Sequence, residues 1–289
     1  CDKTVKNNIK NVTADFLPSH CKITAVKHPA LRRKMPGISV KDVTIKYADK
    51  SKKDKKSKKE PPEIIALDNF SADFDDEKFN VIIGASGCGK TTLIRAVAGL
   101  SDYEGEIFFD ETDAMELTVK DRNVAYVPQG YSLYPSMTVF DNIASPLKAA
   151  GAGREEVTER VKSIAKTLGL ELLLNRKPKE LSGGQQQLVA IGRALVRRPS
   201  VCLMDEPFSN VDVKKRAVLR SYVKNVVADT GCTVIYVTHD VKEAVALADK
   251  LFIMNEGKLV ASGTPIEVFK RRGPVIDDFR NALAERSIV

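Results

Sequence analysis

Eight consecutive residues, Gly84-Ala85-Ser86-Gly87-Cys88-Gly89-Lys90-Thr91, combine pliable backbone with one cation and two hydroxyls. That set suits phosphate. Glycines let the chain curl so that successive N–H groups point inward at an anion. A helix starting at the end of the curl adds its partly positive N-terminus. Lys90 can then reach β- and γ-phosphates, and the Thr91 hydroxyl can ligate Mg2+. The apolar run Phe79-Asn80-Val81-Ile82-Ile83 before the loop reads as a strand, and Thr92 to Ala98 after it as a helix. Strand, glycine loop and helix at this spacing form a phosphate-binding P-loop. The competing reading is a glycine-rich turn with a chance lysine.

A second constellation bears on that choice. Val201-Cys202-Leu203-Met204 is a buried-type strand that runs directly into Asp205 and Glu206. Carboxylates at the end of such a strand are costly unless they serve a metal or a reaction. Asp205 is placed to hold Mg2+ and Glu206 to orient or deprotonate an attacking water. A solvated acidic pair is the plain alternative. Leu181-Ser182-Gly183-Gly184-Gln185 stands immediately before another helical stretch, which makes a second anion site or an ordinary cap.

These residues need a scaffold of alternating strands and helices. Ile38 to Tyr47 alternates apolar and polar, and Ile64 to Phe74 resumes strand character. Ile107 to Asp110 reads as an edge strand. From about 131 to 181 the pattern becomes helical, and in Arg154 to Leu168 the residues Val157, Val161, Ile164 and Leu168 share one face. Thr233 to Val237 and Val201 to Met204 are nearly continuous apolar runs, as in the middle of a parallel sheet. Helices are expected over Gln185–Arg197 and Val213–Ala228, and a hairpin over Leu251–Met254 and Lys258–Val260. The expected class is α/β, with an inserted helical subdomain at about 131–185.

Composition narrows the function. The chain has 289 residues and a net charge of +8, which invites a nucleic-acid partner. The charge is localised, however. Residues 1–36 carry eight Lys or Arg against two acids, and residues 50–60 carry seven Lys against two acids, so the remainder is slightly acidic. Nucleic acid is therefore not an expected partner. The Lys-rich loop 50–60 reads as a solvated loop, with contact to anionic lipid as the alternative. The five cysteines lack C-x-x-C spacing, which argues against zinc and fits a reducing cytoplasm. No run of roughly 18 apolar residues is present, so a membrane role must come through a partner. Met35, just ahead of the first strand, is a candidate native start, and a genuine basic tail is the alternative.

Leu181–Gln185 is identical to the signature of ATP-binding-cassette (ABC) ATPases, and the chain resembles that family over about residues 38–270. The resemblance implies a P-loop NTPase fold with a RecA-like core, an antiparallel β subdomain and the α-helical subdomain. It implies a cassette over 37–272, between a basic extension (1–36) and a short tail (273–289). Gln129 matches the Q-loop glutamine, which links Mg2+ and the attacking water to the helical subdomain. His239 matches the switch histidine on the γ-phosphate, and Asp212 the acid of the D-loop at the dimer interface. Tyr47 matches the aromatic that stacks on adenine, although a core tyrosine is the alternative. The implied catalytic residues are Glu206, His239, Gln129 and Lys90, with Thr91, Gln129 and Asp205 at the metal. The nucleotide would be held by Tyr47, Gly84, Ser86, Gly87, Cys88, Gly89, Lys90, Thr91 and Thr92. Ser182, Gly183, Gly184, Gln185 and Asp212 would complete the site from a second copy or a homologous subunit.

Tyr131 to Ile143 and Asp205 to Asp212 resemble the carbohydrate-uptake, maltose-type importer ATPases. That implies ATP and Mg2+ as cofactors, an integral-membrane permease, indirectly a solute-binding protein, and a peripheral position on the cytoplasmic side of the membrane. The solute is expected to be a sugar or related compound, with a polyamine or another small solute as the alternative. A soluble ABC ATPase acting on nucleic acid or ribosomes is the rival from another class. The usual β-rich regulatory domain of maltose-type subunits is expected to be absent, because the sequence ends at Val289.

Overall fold

Segments that are mostly apolar and segments that alternate separate into two sheets. The computed structural model describes residue 9 and residues 35–48, 63–209, 211 and 213–284. Apart from residue 9, the basic extension up to residue 34 lies outside the described residues, as do the Lys-rich loop 50–60, Asp212 and the end of the tail (285–289). In chain order, β1 (Ile38–Ala48) and β2 (Glu63–Phe74) precede β3 (Phe79–Ile83), which leads through the glycine loop into α1 (Lys90–Val97). β4 (Glu104–Phe109), β5 (Thr112–Asp113) and β6 (Val124–Val127) follow, then α2 (Val139–Ala149), α3 (Arg154–Thr167) and α4 (Gly183–Leu195). β7 (Val201–Asp205), α5 (Val213–Thr230), β8 (Thr233–Thr238), α6 (Val241–Leu247), β9 (Lys250–Asn255), β10 (Lys258–Gly263), α7 (Pro265–Lys270) and α8 (Pro274–Ala284) complete the order.

The first sheet is antiparallel, in the order β2-β1-β4-β5. The second runs β10-β9-β3-β8-β7-β6 and is parallel except for the β9–β10 hairpin. β3, β7 and β8 are buried at every position, as strands covered on both faces must be. Their side chains alternate between two cores. Val81, Ile83, Cys202, Met204, Val234 and Tyr236 join the core that carries α2, α3 and α4. Ile82, Val201, Leu203, Ile235 and Val237 face Leu93, Ile94 and Val97 of α1 and the antiparallel sheet. Helix α1, and the loop that starts it, is thus pinned between the two sheets.

Two expectations are corrected. Ile107–Asp110 is not an edge: β4 pairs with β1 on one side and with β5 on the other. β5 is two residues long, too short to register as a strand in the sequence. The helical segment also begins later than residue 131. Residues 131–138 are irregular, tied down by buried Asn142, whose side chain accepts from Tyr134 N and donates to the carbonyls of Tyr134, Met137 and Thr138. Pro135 further disfavours helix at the residue before it. Among the described residues no helix is long and apolar enough to cross a membrane.

Candidate functional site

Adjacent parallel strands deliver their carboxyl ends to one edge, where α/β proteins bind ligands. Here β3 ends in the glycine loop, β8 in His239, β7 in Glu206 and β6 near Gln129. Neighbouring strands lie about 4.8 Å apart, so these four ends form one row.

The loop is shaped by glycines at specific points. Gly87 and Gly89 have φ of 81° and 100°, a region that side chains disfavour. A Cβ on Gly89 would fall 2.3 Å from Ala66 O, and one on Gly84 would fall 2.4 Å from Met254 O. The β9–β10 turn holds the loop from outside: Gly257 N donates to Cys88 O at 3.0 Å. Glu256 and Gly257 both have positive φ, as a two-residue hairpin turn requires. The loop is therefore a cradle fixed against backbone on two sides. Gly89→Ala is expected to destabilise the protein by about 1–3 kcal/mol, since it adds a clash with immobile backbone to an unfavourable φ. Gly87→Ala, with nothing within 4 Å of its added Cβ, should cost less. Urea unfolding of both variants checks the ranking.

Lys90 is buried, with Nζ donating to Gly84 O at 2.9 Å and Ala85 O at 2.8 Å. One residue on, Thr91 Oγ1 donates to Asp205 Oδ1 at 3.0 Å. Tyr126 Oη donates to the other oxygen, Asp205 Oδ2, at 3.2 Å. Burial pushes the Asp205 carboxyl above its usual range, opposed by those two hydrogen bonds. Burial and the neighbouring Asp205 raise the Tyr126 phenol in turn, keeping it a donor.

Glu206 turns away from this pair. Its φ of 42° is left-handed, unusual for a residue with a side chain, and its N–H donates to Val237 O at 3.0 Å. The carboxylate lies 2.9 Å from His239 Nδ1. With a carboxylate as partner, Nδ1 carries the proton, and Nε2 points elsewhere.

The structure brings together Lys90, Thr91 and Asp205, and separately Glu206 and His239. It does not join Gln129 to either group; Gln129 is exposed beyond β6. Ser86 is exposed, Cys88 is buried beneath the loop, and Thr92 is half-buried on the first turn of α1. Tyr47 is 43% exposed near the end of β1, so the core-tyrosine alternative does not hold. Ser182 caps α4, accepting from Gln185 N, while Gln185 Oε1 accepts from Ser182 N. Gly184 is closely packed: a Cβ there would meet Leu219 Cδ1 at 3.2 Å, so the leucine would have to give. Gly183 precedes it in the same exposed turn. Helix α4 packs on α2, α3, α5 and β6, whereas α1 packs on β2, β7 and β8, so signature and P-loop lie in different layers.

Three contributors were not singled out from sequence: Tyr126, Gly257 and Ala66. Tyr126 alone left a signal, a polar tip in an apolar run two residues before Pro128. A groove of about 380 Å³ also opens beside β6, lined by Tyr126, Val127, Tyr134, Pro146 and Arg193 among others. Arg193 braces it by donating to Ser132 O at 2.9 Å with its guanidinium 5.3 Å from the Tyr134 ring.

A glycine loop between a buried parallel strand and a helix, facing a carboxylate from a nearby parallel strand, defines a P-loop NTPase fold. Comparison with known proteins narrows the class. Residues 67–209 match the family described as ABC transporter. The chain is 47% identical over 216 residues to the trehalose/maltose import ATP-binding protein MalK of Thermococcus litoralis, covering 72% of this chain and 58% of that protein. It is 48% identical over 206 residues to the sn-glycerol-3-phosphate import ATP-binding protein UgpC of Yersinia enterocolitica, covering 71% and 57%. The dimeric structure of a bacterial ABC transporter cassette superposes with a TM-score of 0.67 at 29% identity, covering 82% of this chain and all of that one. The chain carries an ABC transporter ATP-binding domain. It spans little more than half the length of the curated relatives it matches.

Proposed function

We propose that this chain is the ATP-hydrolysing subunit of an importer, driving a small solute through a separate membrane permease from the cytoplasmic side. The observation that carries this reading is the row of strand ends that sets Lys90, Thr91 and Asp205 beside the Glu206–His239 pair. The solute is a sugar or related compound, because the relatives named above import trehalose/maltose and sn-glycerol-3-phosphate. A solute-binding protein would act indirectly, and the groove beside β6 would seat a permease segment.

The donor set fits Mg2+. Among the described residues no trio of His, Cys, Asp or Glu converges, and the donors present are the Thr91 hydroxyl and the Asp205 carboxylate. Two hard oxygens suit an ion that keeps waters and shares its shell with substrate phosphates. When bound, Mg2+ would neutralise developing phosphate charge and favour the ionised form of Asp205, against the upward push of burial. Gln129 would join this shell. Lys90 would exchange its loop carbonyls for β- and γ-phosphate oxygens, while Thr92 and the backbone N–H groups from Ser86 to Gly89 line the cradle. Glu206 would take the proton of the attacking water on its carboxylate, and His239 would lie at the γ-phosphate. Tyr47, exposed on the antiparallel sheet, would stack on the base.

Ser182 and Gly183–Gln185 sit at an exposed helix start in another layer, so a second copy or homologous subunit would present them to this P-loop. Asp212 would lie at that interface. ATP binding would close the pair, and hydrolysis would reopen it.

The test is phosphate release from Mg-ATP by the purified chain, combined with recovery of partners from solubilised membranes. Turnover together with a multi-spanning membrane protein supports the reading; recovery of ribosomes or DNA instead would end it. Withdrawing the metal with EDTA should abolish turnover. Thr91→Val should raise the Mg2+ needed for half-maximal rate by about 10–100-fold, the equivalent of one lost charge-assisted contact. A Mg2+ titration measures it.

A further inference from the structure

A guanidinium ties together the two loops that carry Glu206 and His239. Arg216, in the second turn of α5, is held at three points. Its Nε donates to Val211 O at 2.9 Å and one terminal nitrogen to Ser209 O at 3.1 Å. The other terminal nitrogen lies 3.6 Å from Asp240 Oδ2. Ser209 belongs to the turn that starts at Glu206, since Ser209 N donates to Glu206 O at 3.1 Å. Asp240 is the residue after His239. The connections therefore close a ring: Glu206, its turn, Arg216, Asp240, His239 and back to Glu206.

Each side of the ring is firm except at its junction. Asp240 Oδ1 accepts from Lys242 N and Glu243 N, and Asp240 N donates to Thr238 Oγ1. Thr238 in turn donates to the buried Glu243 carboxylate at 2.6 Å. The His239 side is thus locked onto α6. On the other side, Phe208 and Val211 are buried, and Val211 Cγ1 is 3.5 Å from where a Cβ on Gly184 would stand. The Glu206 turn is thereby seated on α4. What relates the two sides at their tips is the exposed Glu206–His239 contact and the Arg216 fork. The Arg216 and Asp240 side chains are 17% and 30% exposed, so their pairing is screened and adds little stability. The contribution of the fork is geometric, because planar guanidinium contacts fix direction as well as distance.

We propose that Arg216 is a positioning residue that holds His239 in register with Glu206. This rests on the catalytic reading of that pair given above. Misplacing reacting groups by about 1 Å can cost up to 100-fold in rate. Arg216→Met should therefore lower kcat by about 10–100-fold, while the Kd for ADP and the KM for ATP stay within about twofold. Arg216→Lys, which keeps the charge but not the fork, should fall between. A second readout is spectroscopic. The chain has three histidines, so the imidazole 15N resonances of His239 can be assigned by substitution. They should move in Arg216→Met and in Arg216→Lys.

Arg216 variants with unchanged kcat, or with His239 resonances in their original places, overturn the proposal. A fall in ADP affinity equal to the fall in kcat also overturns it, since the residue would then be supporting the fold of the site generally. Should Arg216→Met fail to fold, Arg216→Lys is judged by the same measures. Failure of the underlying reading looks different: Glu206→Gln and His239→Ala would themselves leave turnover intact.

Discussion

Glu206→Gln is expected to reduce ATP turnover by at least about 100-fold while nucleotide binding survives. General-base catalysis contributes about 10²–10⁴-fold, and an amide cannot take the proton that a carboxylate takes. The substitution is unusually clean here. Gln keeps an oxygen to accept from His239 Nδ1, now 2.9 Å from Glu206 Oε2. It also tolerates the left-handed backbone, φ 42°, about as well as Glu does. The backbone hydrogen bond from residue 206 to Val237 O is untouched. Folding stability should therefore stay within about 0.5 kcal/mol. If hydrolysis is what reopens the paired subunits, the variant should accumulate as an ATP-held dimer, visible by light scattering with and without Mg-ATP. Hydrolysis at the unmutated rate would show that Glu206 is not the base.

Much of this site was legible in the sequence because its parts sit at the ends of local patterns. Val201–Met204 announces a buried strand by being apolar throughout, Phe79–Ile83 by being apolar at every position but Asn80, and Asp205–Glu206 and Gly84–Thr91 follow them without a gap. What the sequence could not give was contact between distant segments. Nothing in Asn255-Glu256-Gly257 indicates that the turn presses on Cys88, or that Ala66 walls off Gly89. Tyr126 matters because β6 happens to lie beside β7, a pairing set by topology rather than by either strand's own residues. The same reason explains the misplaced edge. Ile107–Phe109 has the composition of an edge strand, but a neighbour of two residues, Thr112–Asp113, covers it. Gly184 illustrates the converse. Its sequence context suits an anion site, and its close packing against Leu219 adds a structural reason for a small residue there.

The geometry also ranks the site's two halves by rigidity. The Lys90 side is buried between two sheets, with Gly84, Cys88 and Gly89 enclosed. The His239 side is open: the imidazole is 54% exposed and Glu206 17%. A rigid glycine loop facing a more open Glu206–His239 pair suits the proposed site, in which nucleotide binds first and a partner supplies the second wall. Loss of function from changes on the two sides should accordingly differ in kind, affinity on one and rate on the other.

Lys90→Ala is the variant that should show the affinity side. Lys90 is 5% exposed and its ammonium is satisfied by two loop carbonyls, so it is a buried cation held beside the glycine loop. Trading those carbonyls for phosphate oxygens replaces dipoles with full negative charge at little conformational cost. Hydrogen bonds to charged groups contribute about 1.5–3 kcal/mol each, so losing them should weaken nucleotide binding by about 10–100-fold or more. Turnover should fall further still, because charge grows on the phosphate in the transition state. The folded chain without nucleotide should change less, since removing the ammonium deletes a desolvated charge together with its two hydrogen bonds. Lys90→Arg is not a rescue: a planar fork does not fit where a compact ammonium bridges Gly84 O and Ala85 O. Calorimetric titration with ADP measures the affinity. Thermal unfolding gives a second measure, because bound nucleotide stabilises by RT ln(1 + [L]/Kd) and that shift should shrink in both variants. An ADP affinity within twofold of the parent chain in Lys90→Ala would show that the cradle binds phosphate through its backbone alone.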